Sequence, residues 1–161
     1  MEYISAENRK LLEPKYRTAM VIVFGFIISV LFYLIVAKFV PPAEAVPGSE
    51  AWQRPIYAGA LILALVVIFL RRFLMSSFIG RRAAAIGAPG VLRNLMMVTI
   101  LISAIAEVVA ILGMLFYFLT GDADYSWRLG AIGLVLLVYA FPRRGEWERW
   151  VTASADGAKK Q

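Results

Sequence analysis

Residues 95–119 read LMMVTILISAIAEVVAILGMLFYFL, a run of 25 residues in which Glu107 is the one charged side chain. A helix that crosses a bilayer needs roughly 17–25 consecutive apolar residues. The run therefore predicts a membrane-spanning helix with a carboxyl group at its midpoint, and the rest of the chain is interpreted from there.

The composition agrees with a membrane protein. Apolar residues are 61% of the 161 residues and charged residues 17%, whereas soluble domains average roughly 45–50% apolar and about 25% charged. Cysteine and histidine are both absent. Their absence removes disulfides, thiolate nucleophiles, zinc and iron–sulfur sites and a Ser–His–Asp triad from consideration.

Three shorter apolar runs, at 19–37, 56–70 and 129–141, flank the long one. We therefore predict an all-α integral membrane protein whose residues 19–142 form a four-helix transmembrane domain. A short N-terminal segment, 1–18, precedes it, and a tail, 143–161, follows it. The four spans are expected at about 19–40, 55–73, 92–120 and 125–142.

The distribution of cations orients these spans. With the N-terminus inside, fourteen Lys and Arg residues lie on the inner side and three, Lys38, Arg54 and Arg128, on the outer side. The positive-inside rule then predicts that both termini are cytoplasmic in a multi-pass protein of the cell (inner) membrane. The net charge of +6 is explained by cations that flank apolar spans beside anionic lipid, so the lipid bilayer is the expected partner and nucleic acid is not.

The four tryptophans are predicted to be interfacial anchors, because indoles prefer the level of the lipid headgroups. They are Trp52, Trp127, Trp147 and Trp150. The alternative for the last two, which alternate with arginines in the tail, is a docking site for a soluble partner. Beyond Thr152 the small and polar residues indicate a disordered end.

Glu107 is the main candidate for a functional residue. A carboxylate at the bilayer centre costs on the order of 2.5–3.5 kcal/mol on insertion scales, and no Lys or Arg is available at that depth. Such a residue is a candidate for carrying protons. Thr99 and Ser103 recur at four-residue intervals before it, so we expect their hydroxyls to lie on the same helix face and to bond the carboxyl group.

Small residues predict close helix packing next to this acid. Ala106, Ala110 and Gly113 form a stripe on the third span, and Gly130 and Gly133 lie in the fourth. Small side chains let membrane helices approach closely.

No catalytic residue, metal ligand or cofactor is predicted, because the chain offers no nucleophile–base pair.

Residues 104–113, AIAEVVAILG, resemble the carboxylate-bearing helix of the rotor-ring subunit c (proteolipid) of rotary ATP synthases. The shared residues are Ala104, Glu107, Ala110, Ile111 and Gly113, with Pro89 in a basic turn before the helix. The resemblance covers about residues 55–120. It implies a ring of self-copies in which Glu107 takes up and releases protons, without catalysis of bond chemistry.

The competing hypothesis is a structural or accessory subunit of a larger membrane complex, with Glu107 as a packing or docking residue. The small residues favour it, and so does the lack of a second functional group. Both hypotheses expect other membrane subunits as partners, whether self-copies or different chains. They differ in whether Glu107 lies towards lipid or towards another helix.

Overall fold

The computed structural model describes residues 5–41, 46–79 and 83–158, and all regular structure in these ranges is helical. Four helices are long and apolar enough to cross a membrane, which confirms the predicted all-α class and the four-helix count. The helices are α1 (Ala6–Phe39), α2 (Gln53–Phe73), α3 (Ala83–Thr120), α4 (Ala123–Ala140) and α5 (Arg144–Ala158). A 3-10 helix (Ser49–Trp52) precedes α2, and a π-helix (Leu74–Ile79) follows it. The ends of the predicted N-terminal segment and tail, 1–4 and 159–161, lie outside the described residues.

Helix α1 begins well before the first predicted span. The Ser5 side chain accepts a hydrogen bond from the backbone N–H of Asn8, which satisfies one of the free donors of the first turn. The helix continues through Pro14, which has no N–H to donate. Most of the predicted segment 1–18 is therefore the first part of a continuous 34-residue helix.

Two glycines define the ends of the long part of α3. Gly87 has φ 64° and ψ 176°, a conformation that only glycine adopts readily, and it kinks the helix near its start. Pro89 follows in the first turn of the straight part, where its missing N–H is tolerated. At the other end Gly121 (φ 77°) donates to the Tyr117 carbonyl at 2.8 Å and ends the helix.

Two hydrogen bonds at opposite ends of the bundle give the relative directions of α1, α3 and α4. The end of α1 lies beside the end of α3, because the Tyr117 hydroxyl donates to the Val40 carbonyl. The start of α1 instead lies beside the end of α4, where the Tyr16 hydroxyl donates to the Pro142 carbonyl at 3.3 Å. Helices α1 and α3 therefore run opposite to α4, and α3 is the central helix, with contacts to all the other four.

The predicted small residues lie at close contacts of α3 with α4 and of α4 with α1. A Cβ atom on Gly133 would lie 3.0 Å from the Cβ of Ala110, and one on Gly113 would lie 2.8 Å from the Cβ of Leu129. A Cβ on Gly130 would lie 2.6 Å from Leu34 Cδ2 of α1. Ala106 and Ala110 are buried. Each small residue thus lies at a close contact between helices.

The tail differs from the prediction, because residues 144–158 form helix α5 where a disordered end was expected beyond Thr152. α5 packs against α3 and the start of α1. Trp147 is fully buried, and its ring meets Tyr16 edge-on with the centroids 5.6 Å apart. Trp147 is therefore a core residue of this end of the bundle, and the prediction of an interfacial anchor is wrong for it.

The other three tryptophans have side chains at the surface. Trp52 is 63% exposed and Trp127 is 47% exposed, while Trp150 is half-buried. Their exposure leaves them free to contact lipid or another protein chain, as an interfacial anchor requires.

Candidate functional site

The Glu107 side chain lies between α3 and α1 and accepts a hydrogen bond from another helix. The Tyr33 hydroxyl of α1 donates to Glu107 Oε1 at 3.0 Å. Both side chains are half-buried. The two residues are 74 positions apart in sequence, so this bond is a long-range contact that fixes α1 against the middle of the central helix.

The expected hydroxyl partners on α3 do not bond the acid. The Thr99 hydroxyl donates to the Leu95 carbonyl at 2.9 Å, one turn back along its own helix. The Ser103 hydroxyl is fully buried and has no hydrogen-bond partner among the residues that the structure describes. The prediction of both bonds was wrong, because helical spacing places hydroxyls on a shared face but does not decide which acceptor each one reaches. Thr99 donates to the backbone carbonyl one turn back instead.

Glu107 has no ion-pair partner among the described residues. The five ion pairs in this part of the chain join other residues, near the ends of the helices. Its second oxygen, Oε2, has no hydrogen-bond partner in the same ranges. The carboxyl group therefore uses one oxygen for the contact to α1 and keeps the other available.

Arg71 and Glu146 form a second polar centre, at the end of the bundle that holds the start of α1. Arg71 Nη2 lies 3.2 Å from Glu146 Oε2, and the same guanidinium donates to the Tyr139 carbonyl. The Arg71 Cζ atom lies 4.7 Å from the centroid of the Tyr139 ring, in a cation–π arrangement. The Arg71 side chain is only 10% exposed, so these contacts compensate a nearly buried charge.

The remaining acidic side chains of the described residues lack the arrangement that a metal ion needs. In residues 5–41, 46–79 and 83–158, no group of three or more Asp, Glu, His or Cys side chains could hold a metal ion. Asp122 caps α4 by accepting from the backbone N–H of Asp124, and Asp124 pairs with Arg128 at 3.1 Å. These carboxylates thus have local structural partners.

Sequence reasoning missed Tyr33 and the Arg71–Glu146 pair. The only signal for Tyr33 was a phenol inside an otherwise apolar run, which core packing explains equally well. Arg71 is adjacent to Arg72 at the end of an apolar run, where a flanking cation is expected without any partner inside the protein. No family model matches the chain, and no curated protein or solved structure matches it either.

Proposed function

We propose that this protein is a non-catalytic accessory subunit of a larger membrane assembly, in which Glu107 is a packing and docking residue. In this proposal the four helices cross the cell (inner) membrane with both termini on the cytoplasmic side, as the distribution of cations indicates. The observation that carries the proposal is the 3.0 Å hydrogen bond from Tyr33 to Glu107. A packing role requires that the acid face another helix and bond to a residue there. The hydrogen bond from Tyr33 of α1 to Glu107 of α3 supports this role.

The energies favour a docking role beyond packing alone. A hydrogen bond between membrane helices contributes roughly 0.6 kcal/mol on average and at most about 1.7 kcal/mol. The acid costs on the order of 2.5–3.5 kcal/mol at the bilayer centre, so the Tyr33 bond offsets only part of that cost. The unpaired Oε2 can accept a further bond from a partner helix, which would offset more.

The outer surfaces of α1 and α2 leave room for a partner. Helix α2 contacts mainly α3, and its large side chains Leu61, Leu65 and Phe69 are exposed. On α1, Val21 and Ile28 are 67% and 64% exposed. Apolar surfaces of this extent are covered by lipid or by other helices. Two helices on the rim of the bundle could thus contact other subunits.

A proton-carrying subunit of the rotor-ring kind is the second candidate, and the unpaired Oε2 also favours it. A carboxyl oxygen without a partner can gain and lose a proton while Oε1 keeps its bond to Tyr33. This candidate requires a ring of self-copies around the chain. The accessory role requires different subunits instead, so the composition of the native assembly separates the two.

Two substitutions at residue 107 test the proposal directly. Glu107→Gln keeps an oxygen that accepts from Tyr33 but cannot carry a proton, whereas Glu107→Met removes the acceptor with a side chain of similar length. For an accessory subunit, Gln should preserve co-assembly with the native partners and Met should weaken it. A rotor subunit instead predicts that Gln abolishes proton-coupled activity of the assembly.

Labelling with a hydrophobic carbodiimide gives an independent readout in native membranes. The accessory proposal expects Glu107 to be unreactive, because its carboxyl group is bonded to Tyr33 and covered by a partner. Selective labelling of Glu107 that fades as the pH rises would support the proton carrier and overturn the accessory role. Tyr33→Phe serves as the matched control, since it removes the bond without removing the carboxyl group.

A further inference from the structure

A cavity of about 840 Å³ lies at the end of the bundle where α2 and α4 finish and α5 begins. Four helical elements, α2, the π-helix, α4 and α5, supply its wall, and Arg71 and Glu146 form part of it. The remaining lining residues are Arg72, Met75, Ser76, Tyr139, Arg143, Gly145, Arg149 and Trp150. Neither Tyr33 nor Glu107 lines this cavity.

The lining of this cavity is strongly cationic. It contains four arginines and a single glutamate, for a net charge of +3. The glutamate is already paired with Arg71, whose side chain is nearly buried. Arg149 uses its Nε to donate to the Gly145 carbonyl at 3.3 Å. An anion is therefore the ligand that this charge would attract.

Two of the guanidinium groups are free to bind such an anion. Arg72 and Arg143 are exposed, and neither guanidinium has a hydrogen-bond or ion-pair partner within the described ranges. Arginine binds phosphate oxygens with two parallel N–H groups, which gives strong and oriented contacts. The cavity thus places two unpaired guanidinium groups next to that of Arg71, which is already held by Glu146 and the Tyr139 carbonyl.

The apolar part of the wall favours a lipid over a small soluble anion. Met75 is buried at the wall, and Trp150 is half-buried beside it. An indole and a thioether near charged groups suit the boundary between headgroup and acyl chain. Basic pockets between membrane helices on the cytoplasmic side are known sites for anionic headgroups.

We propose that this cavity binds the phosphate group of an anionic phospholipid, with Arg72 and Arg143 contacting the phosphate and Trp150 contacting the glycerol end of the acyl chains. The Arg71–Glu146 pair orients the start of α5 and thereby sets the spacing between the two free arginines. The proposal is independent of the role of Glu107. A free phosphate ester shares the same chemistry, so the test separates the two sources.

The test measures lipid binding to the purified, delipidated full-length protein by native mass spectrometry. Phosphatidylglycerol is titrated against the wild type and against the double variant Arg72→Gln/Arg143→Gln, and phosphatidylcholine serves as the zwitterionic probe. We expect one phosphatidylglycerol to bind in preference to phosphatidylcholine. Loss of two charge-assisted contacts should weaken its binding roughly tenfold or more.

The double variant Arg9→Gln/Lys10→Gln is the matched control. It removes two exposed cations at the same end of the bundle, beside a different cavity of about 490 Å³. Phosphatidylglycerol should bind this control within roughly twofold of the wild type. Equal losses in both double variants, or equal binding of phosphatidylcholine, would show diffuse attraction to lipid charge and overturn the site.

A competition arm distinguishes the source of the phosphate. Inorganic phosphate at millimolar concentration is added to the wild type that carries phosphatidylglycerol. We expect the lipid to remain bound, because the acyl chains contribute apolar contacts that phosphate lacks. Displacement by inorganic phosphate would assign the cavity to soluble phosphate esters and overturn the lipid proposal.

Discussion

Arg71 at the end of α2 is paired with Glu146 in α5 at 3.2 Å, with its guanidinium over the ring of Tyr139 in α4. One nearly buried cation thus joins three helices at a single point. This contact explains why the segment after α4 is ordered: α5 supplies the carboxylate that a buried arginine requires. The buried ring of Trp147, one residue further along, then packs against Tyr16 of α1.

Removal of the Glu146 charge should destabilise this end of the bundle. Glu146→Gln leaves the nearly buried Arg71 with a neutral partner, and hydrogen bonds to charged groups contribute about 1.5–3 kcal/mol. We expect a decrease of that size in the free energy of unfolding, measured by SDS titration of the purified protein. Asp124→Asn is the control, because its pair with Arg128 is more than 60% exposed on both sides and should contribute below about 1 kcal/mol. A change as small as that of the control would contradict the role assigned to the buried pair.

The sequence was sufficient for the helical class, for the four helices long and apolar enough to cross a membrane, and for the acid at the centre of the apolar run 95–119. These features follow from the length and the mean hydropathy of single segments of sequence, which do not depend on which residues become neighbours in the fold. The pairing of Tyr33 with Glu107 could not be predicted, because it depends on which face of α1 is turned towards α3, and the sequence does not determine that orientation. The burial of Trp147 depends on the docking of α5, whereas the alternation of tryptophan with arginine in this stretch favoured an interfacial anchor.

Glycine substitutions should separate close packing from helix propensity. Gly113→Ala places a Cβ 2.8 Å from Leu129 Cβ and 3.2 Å from the Tyr125 carbonyl oxygen, so α3 and α4 must move apart. We expect this variant to lose about 1–3 kcal/mol of stability. Gly59→Ala in α2 meets nothing within 4 Å and should be neutral or stabilising by up to about 1 kcal/mol, because alanine favours a helix. Thermal denaturation in detergent measures both, and equal effects would contradict the close contact of α3 with α4.

Tryptophan fluorescence should distinguish the buried indole from the exposed ones. In variants that keep a single tryptophan, lipids brominated near the carbonyl end of the acyl chain should quench Trp127, which is 47% exposed. Trp147 should resist both these lipids and aqueous acrylamide, because it is fully buried. Quenching of Trp147 to the same degree as Trp127 would mean that α5 does not pack as described.

The proposed topology can be tested with introduced cysteines, because the chain has none of its own. Asp122→Cys lies in the exposed turn between α3 and α4, and Ala153→Cys lies on an exposed face of α5. A membrane-impermeant maleimide added to intact spheroplasts should label residue 122 and should reach residue 153 only after lysis. The reverse pattern would place the termini outside and invalidate the orientation inferred from the cations.

The most direct test of the central claim is a double-mutant cycle between Tyr33 and Glu107. Unfolding free energies of the wild type, Tyr33→Phe, Glu107→Met and the double variant are compared, with Ser103→Ala combined with Tyr33→Phe as the control pair. If the acid holds α1 against α3, the cycle should give a coupling energy of about 0.5–1.5 kcal/mol, and the control pair should be additive. Additive effects of Tyr33→Phe and Glu107→Met would show that the two side chains do not interact, and would contradict the packing role of Glu107.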